Sequence, residues 1–117
     1  MHRNLEVTLV QIHHFMIVSQ NFLLGANMKT YVIERDLPGV GGMNDEELCG
    51  AAQTSNAALA RLAPRVQWQH SYVAGDKTFC VYLAEDEDAI KEHAEISGFP
   101  ATTVTEIVGR IDPTTAG

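Results

Sequence analysis

The sequence has few basic residues. It contains 8 Lys and Arg against 15 Asp and Glu, so its formal net charge at neutral pH is −7. Nucleic acids and anionic membranes are bound through basic patches, so neither is an expected partner. No low-complexity tract interrupts the chain, and a length of 117 residues suits one domain with its own hydrophobic core.

Cysteine is also scarce. Cys49 and Cys80 fall in a predicted helix and a predicted strand, and two such residues do not make a disulfide framework. We therefore expect free thiols in a reducing compartment, the cytoplasm. The sequence has no CxxC or HxxxH spacing, and the segment LPGVGG at residues 37–42 lacks the Lys-Ser/Thr of a P-loop. We interpret this segment as a turn.

Long uninterrupted apolar runs are absent. The most apolar stretch, residues 15–24, is broken by three polar residues, so it is too short for a membrane span and a poor signal peptide. The first 27 residues hold three of the five histidines, and Met28 stands just before a clear strand pattern. We predict that the natural domain spans residues 28–117 and that residues 1–27 are an extension outside it.

What is present is an ordered series of strand and helix patterns. Asn44 and Glu47 have the spacing of a capping box, which predicts the start of a helix that Pro64 ends. Asp86 and Gly98 similarly bound a second helix. Two of the predicted strands lie at residues 29–36 and 102–111, and two more form a hairpin at residues 66–83. Residues 112–117 are predicted to form a frayed tail.

The order β-α-β-β-α-β predicts a ferredoxin-like α+β fold. In that fold a four-stranded antiparallel sheet carries both helices on one face. The other face is bare, and a face carrying Trp68, Tyr72 and Tyr82 is not expected to stay in water. We therefore predict a homodimer of the dimeric α/β barrel type, in which two sheets pack face to face around a cavity.

The register of the hairpin decides which side chains share this cavity. A loop with an odd number of residues, such as 75–77, places His70 and Tyr72 on the same face as Cys80. A loop of two or four residues places His70 beside Val81 instead. We favour the odd loop, because it puts the more apolar side chains of the second hairpin strand under the helices.

The favoured register gives each strand side chain a face. The side chains expected under the helices are Tyr31, Ile33, Phe79, Val81 and Leu83. Those expected toward the cavity are Val32, Glu34, Asp36, Trp68, His70, Tyr72, Cys80 and Tyr82.

The candidate site within the cavity set consists of Glu34, His70, Tyr72 and Cys80, with Asp36 as an optional fifth member. The carboxylate of Glu34, the imidazole of His70 and the thiol of Cys80 suit a borderline divalent ion such as Ni, Zn, Cu or Co. The structural alternative is a hydrogen-bonded core histidine, a small buried hydrophobic cysteine and a solvated acid. His93 lies on a helix stripe where packing or capping is the simpler role, and it would join a metal site only near the rim of the sheet.

Several segments together resemble a family of small bacterial domains of largely unknown function that includes actinobacterial nickel-binding proteins. They are YVIERDLPG at 31–39, WQHSYV at 68–73, DKTFCVY at 76–82, IKEHAEISGFPA at 90–101 and IDPTT at 111–115. The resemblance covers about residues 28–115 and implies ferredoxin-like dimers that bind nickel. The residues that match the shared motifs are Glu34, His70, Tyr72, Cys80 and His93, so the implied nickel ligands are Glu34, His70, Cys80 and His93.

Three functions fit these observations. The preferred one is a metal-binding protein, with nickel as the first candidate and the site on the sheet face of a homodimer. The alternative is a cofactor-free oxygenase or isomerase in which His70 is the general base and Trp68, Tyr72 and Tyr82 hold a small substrate. The third is a plain dimerisation module.

Overall fold

The structure, a computed structural model, describes residues 28–117. Its elements are β1 (Lys29–Asp36), α1 (Asp45–Leu62), β2 (Val66–Val73), β3 (Lys77–Ala84), α2 (Glu87–Ser97) and β4 (Thr103–Ile107), with short 3-10 helices at Val40–Gly42 and Pro113–Ala116. The predicted order of strands and helices is confirmed. The last strand is shorter than predicted, and the supposed frayed tail contains a 3-10 helix capped by Asp112.

The four strands form one antiparallel sheet in the order β2-β3-β1-β4. Together with the two helices, this order confirms the predicted ferredoxin-like α+β fold. The two longest strand pairings are made by β3, which lies between β2 and β1. β2, which carries His70, is therefore an edge strand.

Local capping signals set the ends of both helices. The side chain of Asn44 accepts a hydrogen bond from the Glu47 amide at 2.8 Å, and the Glu47 carboxylate accepts one from the Asn44 amide at 3.1 Å. Asp86 caps α2 by accepting from the Ala89 amide at 2.9 Å. Gly98 then ends α2 with φ of +79°, a conformation that glycine adopts without a Cβ penalty.

The hydrophobic core lies between the sheet and the two helices. Ile33 of β1 and Ile90 of α2 are 0% exposed at its centre. The other buried members of the cluster are Tyr31, Leu62, Val66, Cys80, Tyr82, Ala84 and Ala89. Tyr31 and Ile33 therefore lie under the helices as predicted.

The side chains of β3 face the opposite way from the prediction. Cys80, Tyr82 and Ala84 are buried under the helices, whereas Phe79, Val81 and Leu83 are only half-buried on the other face of the sheet. The expectation that this more apolar set covers the helices is wrong. The physical reason is that the Tyr82 hydroxyl finds a polar partner on the helix side, the Ser55 hydroxyl of α1.

The hairpin register also differs from the favoured one. Residues 74–77 connect the last paired residues, so the loop is even-numbered and His70 pairs with Val81 while Ser71 pairs with Cys80. The favoured odd loop is wrong, and His70 and Cys80 project from opposite faces. A β-bulge between Trp68 and His70 adds one extra residue to β2. The side chains after the bulge therefore face the opposite way from what strict alternation predicts.

Gly41 is the tightest glycine of the turn between β1 and α1. Its amide donates to the Gly75 carbonyl at 2.9 Å, and a Cβ at Gly41 would lie 2.6 Å from the Ala74 carbonyl oxygen. Both neighbours are backbone, which cannot swing away. We expect Gly41→Ala to lower the free energy of unfolding by about 1–3 kcal/mol through overpacking.

Chemical denaturation of Gly41→Ala beside Gly42→Ala measures this effect. A Cβ at Gly42 would meet no atom within 4 Å, so this neighbour is a matched control that should change stability little. Equal denaturation midpoints for the two variants would contradict the close approach of the two loops.

The predicted boundary at Met28 stays a prediction, because residues 1–27 lie outside the described residues. Within residues 28–117, no helix has the length and apolarity needed to cross a membrane.

Candidate functional site

The predicted metal ligands lie on two different faces of the sheet. Glu34 and His70 lie on the face against which no helix of residues 28–117 packs, which we call the open face. Cys80 and His93 are buried on the helix side. The expectation that Glu34, His70 and Cys80 share one cavity is wrong for one chain, because Cys80 faces the helices. Residues 28–117 contain no group of three or more His, Cys, Asp or Glu placed to hold a metal ion.

The open face carries a mixture of apolar and polar side chains, with one exposed imidazole. The His70 ring lies 5.2 Å from the Tyr72 ring, measured between centroids, and stands nearly perpendicular to it at 83°. Tyr72 is 63% exposed. The strand pairings place on this face Thr30, Val32, Glu34, Asp36, Gln67, His70, Tyr72, Lys77, Phe79, Val81, Leu83, Thr103, Thr105 and Ile107.

Glu34 has a cationic neighbour on the open face. The Lys77 ammonium lies 3.5 Å from a Glu34 carboxylate oxygen and 3.9 Å from one of Asp36. Asp36, predicted to line the cavity, is exposed at the end of β1. A metal ion at Glu34 must therefore compete with an ammonium group that already satisfies part of the carboxylate's charge.

A chain of buried polar groups lies under the helices. The guanidinium of Arg35 contacts His93 Nδ1 at 3.5 Å, His93 Nε2 lies 3.2 Å from Ser55 Oγ, and Ser55 Oγ lies 3.4 Å from the Tyr82 hydroxyl. Arg35 can only donate, so Nδ1 of His93 accepts and its Nε2–H donates to Ser55. The sequence reasoning missed Arg35, although it continues the alternation of Tyr31 and Ile33.

This environment keeps His93 neutral. Burial, together with the nearby Arg35 charge, lowers the pKa of His93 to about 4, and these two effects outweigh the Ser55 hydrogen bond, which raises the pKa. Burial also raises the pKa of the Tyr82 hydroxyl above its ordinary value. The polar chain therefore consists of one cation and three neutral groups at neutral pH.

A cavity of about 460 Å³ opens beside this polar chain. It lies between the sheet, α1 and the turn that precedes α1, and Arg35, Trp68, Cys80 and Tyr82 are among the residues that line it. The prediction placed Trp68 and Tyr82 in a cavity together with Tyr72, on the face away from the helices. The prediction is wrong, because the bulge and the reversed facing of β3 put Trp68 and Tyr82 on the helix side.

Cys80 has a hydrogen-bonding partner within the core. Its thiol donates to the Thr78 hydroxyl at 3.4 Å, and the side chain is 5% exposed. Cys49, in contrast, is exposed on α1, and neither cysteine is in a disulfide.

The fold and the open face define a small ferredoxin-like α+β domain with one sheet surface that no helix in the described part of the chain covers. The sequence of residues 31–107 matches the family described as "Nickel responsive protein SCO4226-like". The chain belongs to this family, which confirms the resemblance inferred from its motifs.

A solved structure supports the fold. The crystal structure of SCO4226 from Streptomyces coelicolor A3(2) superposes with a TM-score of 0.59 at 15% sequence identity, covering 70% of this chain and 99% of that one. At this identity the likeness carries the fold alone. A search of curated proteins finds no match.

Proposed function

We propose that this protein binds a divalent transition-metal ion, nickel first, on the open face, where two copies of the chain meet. The observation that carries the proposal is the exposed imidazole of His70 on a sheet surface that also carries the apolar side chains of Phe79, Val81 and Leu83. Imidazole is a preferred ligand of nickel among protein side chains. The family description, which names nickel responsiveness, points to the same ion.

A second copy of the chain would cover the apolar side chains of the open face and supply a second set of metal ligands. Phe79, Val81 and Leu83 form an apolar row on the open face, and covering such a row removes it from water. In a two-fold symmetric pair the same patch occurs on both chains, so every ligand is present twice. Two chains thus offer two imidazoles and two Glu34 carboxylates.

The donor set of this proposal is narrower than the one predicted from sequence. His70 is the principal ligand, and Glu34 is the second if the Lys77 ammonium moves aside. Cys80 and His93 are left out, because both are buried and their polar atoms already have partners. The free thiols of Cys49 and Cys80 support a reducing compartment, the cytoplasm, as part of the proposal.

Calorimetric titration with Ni²⁺ tests the proposal. We expect His70→Ala to weaken nickel binding by more than the roughly 10–100-fold that the loss of an outer-shell partner costs. Gln69→Ala is the matched control, since Gln69 is an exposed neighbour on the same strand. His2, His13 and His14 are replaced by Asn in all three proteins, so that only the described histidines can bind the ion.

Two results would contradict the proposal: no heat with submillimolar Ni²⁺, or equal affinity in His70→Ala and Gln69→Ala. A dimer that forms without any nickel binding would favour the plain dimerisation module. The enzyme alternative has lost its main support, because His70 does not lie with Trp68 and Tyr82 around the 460 Å³ cavity.

A further inference from the structure

Arg35 is a buried cation without a carboxylate partner among residues 28–117. Its side chain is 2% exposed, and none of the ion pairs in this part of the chain includes it. Its Nη1 donates to the carbonyls of Phe99 at 3.2 Å and Pro100 at 2.9 Å. Carbonyl dipoles offset part of the charge, but a buried ion is costly unless a counter-charge accompanies it.

The missing counter-charge has a place to bind. Arg35 lines the 460 Å³ cavity, in which it is the one charged side chain among the described lining residues. A guanidinium has five N–H donors, and its contacts with two carbonyls and with His93 leave donors that can serve a ligand. The remaining wall is mostly apolar and includes Val40 and Leu48.

We propose that this cavity binds a small monocarboxylate with an apolar body, whose carboxylate pairs with Arg35 and whose body lies against Val40, Met43 and Leu48. The volume equals that of roughly 15 water molecules at about 30 Å³ each, which suits a small organic ligand. A single carboxylate matches the single cation. A phosphate dianion would leave one negative charge uncompensated in an apolar wall, which argues against that class. The pairing of guanidinium with carboxylate also has the planar two-point geometry that makes such contacts strong.

The protein has a built-in reporter for this site. Trp68 lines the cavity and is the only tryptophan of the chain. Titration with octanoate, followed by Trp68 fluorescence in buffer with EDTA, measures binding without any contribution from metal. We expect saturable binding of octanoate and at least about tenfold weaker binding of 1-octanol, which has the same apolar chain but no charge.

Two variants locate the binding. Ala52 lines the cavity from α1, so Ala52→Phe should fill it and abolish octanoate binding, whereas Ala57→Phe, on an exposed position of the same helix, should not. Arg35→Met should bring octanoate affinity down to that of 1-octanol. If Arg35→Met fails to fold, the pair of α1 variants carries the test alone.

Three outcomes would overturn the proposal. They are no saturable change with octanoate, equal affinities for octanoate and 1-octanol in the parent protein, and unchanged octanoate binding in Ala52→Phe. The first denies a site, the second denies the role of the Arg35 charge, and the third places the binding elsewhere. None of them bears on nickel binding at the open face.

Discussion

The free energy of unfolding is expected to fall by about 3 kcal/mol between pH 7 and pH 4 because of His93 alone. The folded protein holds the pKa of His93 at about 4, while an unfolded histidine has a value near 6.5. Between these values the unfolded chain binds a proton that the folded chain does not. The contribution of His93 to the free energy of unfolding is therefore complete above about pH 6.5, and it is lost as the pH falls toward 4.

The cause is the environment that the fold gives to one imidazole. His93 is 0% exposed, its Nδ1 faces the Arg35 guanidinium at 3.5 Å, and its Nε2 lies 3.2 Å from Ser55 Oγ. Protonation would place an N–H on Nδ1, toward an existing cation. The folded state resists that charge, whereas the unfolded chain accepts it in water.

The measurement is urea denaturation at several pH values for the parent and for His93→Gln. Glutamine can accept from Arg35 and donate to Ser55 without titrating, so the variant should lose about 3 kcal/mol less than the parent over this range. Lys91→Arg, on the exposed side of the same helix, keeps its charge and is expected to retain the parental dependence. Identical pH dependence in parent and His93→Gln would refute the neutral buried histidine.

The second large effect is a difference in the free energy of unfolding between variants on the two faces of the sheet. Ile33→Ala should lower the free energy of unfolding by about 2–5 kcal/mol, because Ile33 is completely buried between the sheet and the helices. Its neighbour Val32 is half-buried on the open face. In a dilute solution of single chains, Val32→Ala should cost only about 1 kcal/mol.

The same comparison can be repeated at low and at high protein concentration. If two open faces pack together, Val32→Ala should lower the denaturation midpoint more at high concentration than at low, since folding is then coupled to association. Ile33→Ala should cost about the same at both concentrations. Equal losses for the two variants in dilute solution would contradict the assignment of Val32 to the open face.

The parts of the fold that were predicted from the sequence rest on local signals. The capping box of Asn44 and Glu47, the cap at Asp86 and the stop at Gly98 depend on side chains within a few residues of the helix ends. Such signals act over a few residues and do not require knowledge of the tertiary contacts. The order of elements follows from them, and the ferredoxin-like arrangement follows from that order.

Those local signals could not predict which face of the sheet each side chain of the hairpin occupies. Alternation with a period of two assigns faces only while the strand is regular, and the bulge near Gln69 breaks that regularity. The same residue pattern allowed an odd or an even loop, and apolarity alone favoured the wrong one. Phe79 and Val81 lie on the open face because Cys80 and Tyr82 have their partners on the other side.

The polar chain at Arg35 was not predicted, because no short sequence motif indicates it. Arg35, Ser55, Tyr82 and His93 come from four different elements and meet only in the folded domain. Strand alternation from Tyr31 and Ile33 was the available signal for Arg35. An arginine at such a position is usually interpreted as the exposed end of a strand, so the signal was overlooked.

Anomalous diffraction at the nickel absorption edge, from crystals grown with Ni²⁺, tests the central claim most directly. The account predicts an anomalous peak at the His70 imidazole, between the open faces of two chains. A peak only at Cys80, at His93 or within residues 1–27, or the absence of any peak in a crystal whose open faces are in contact, would contradict it.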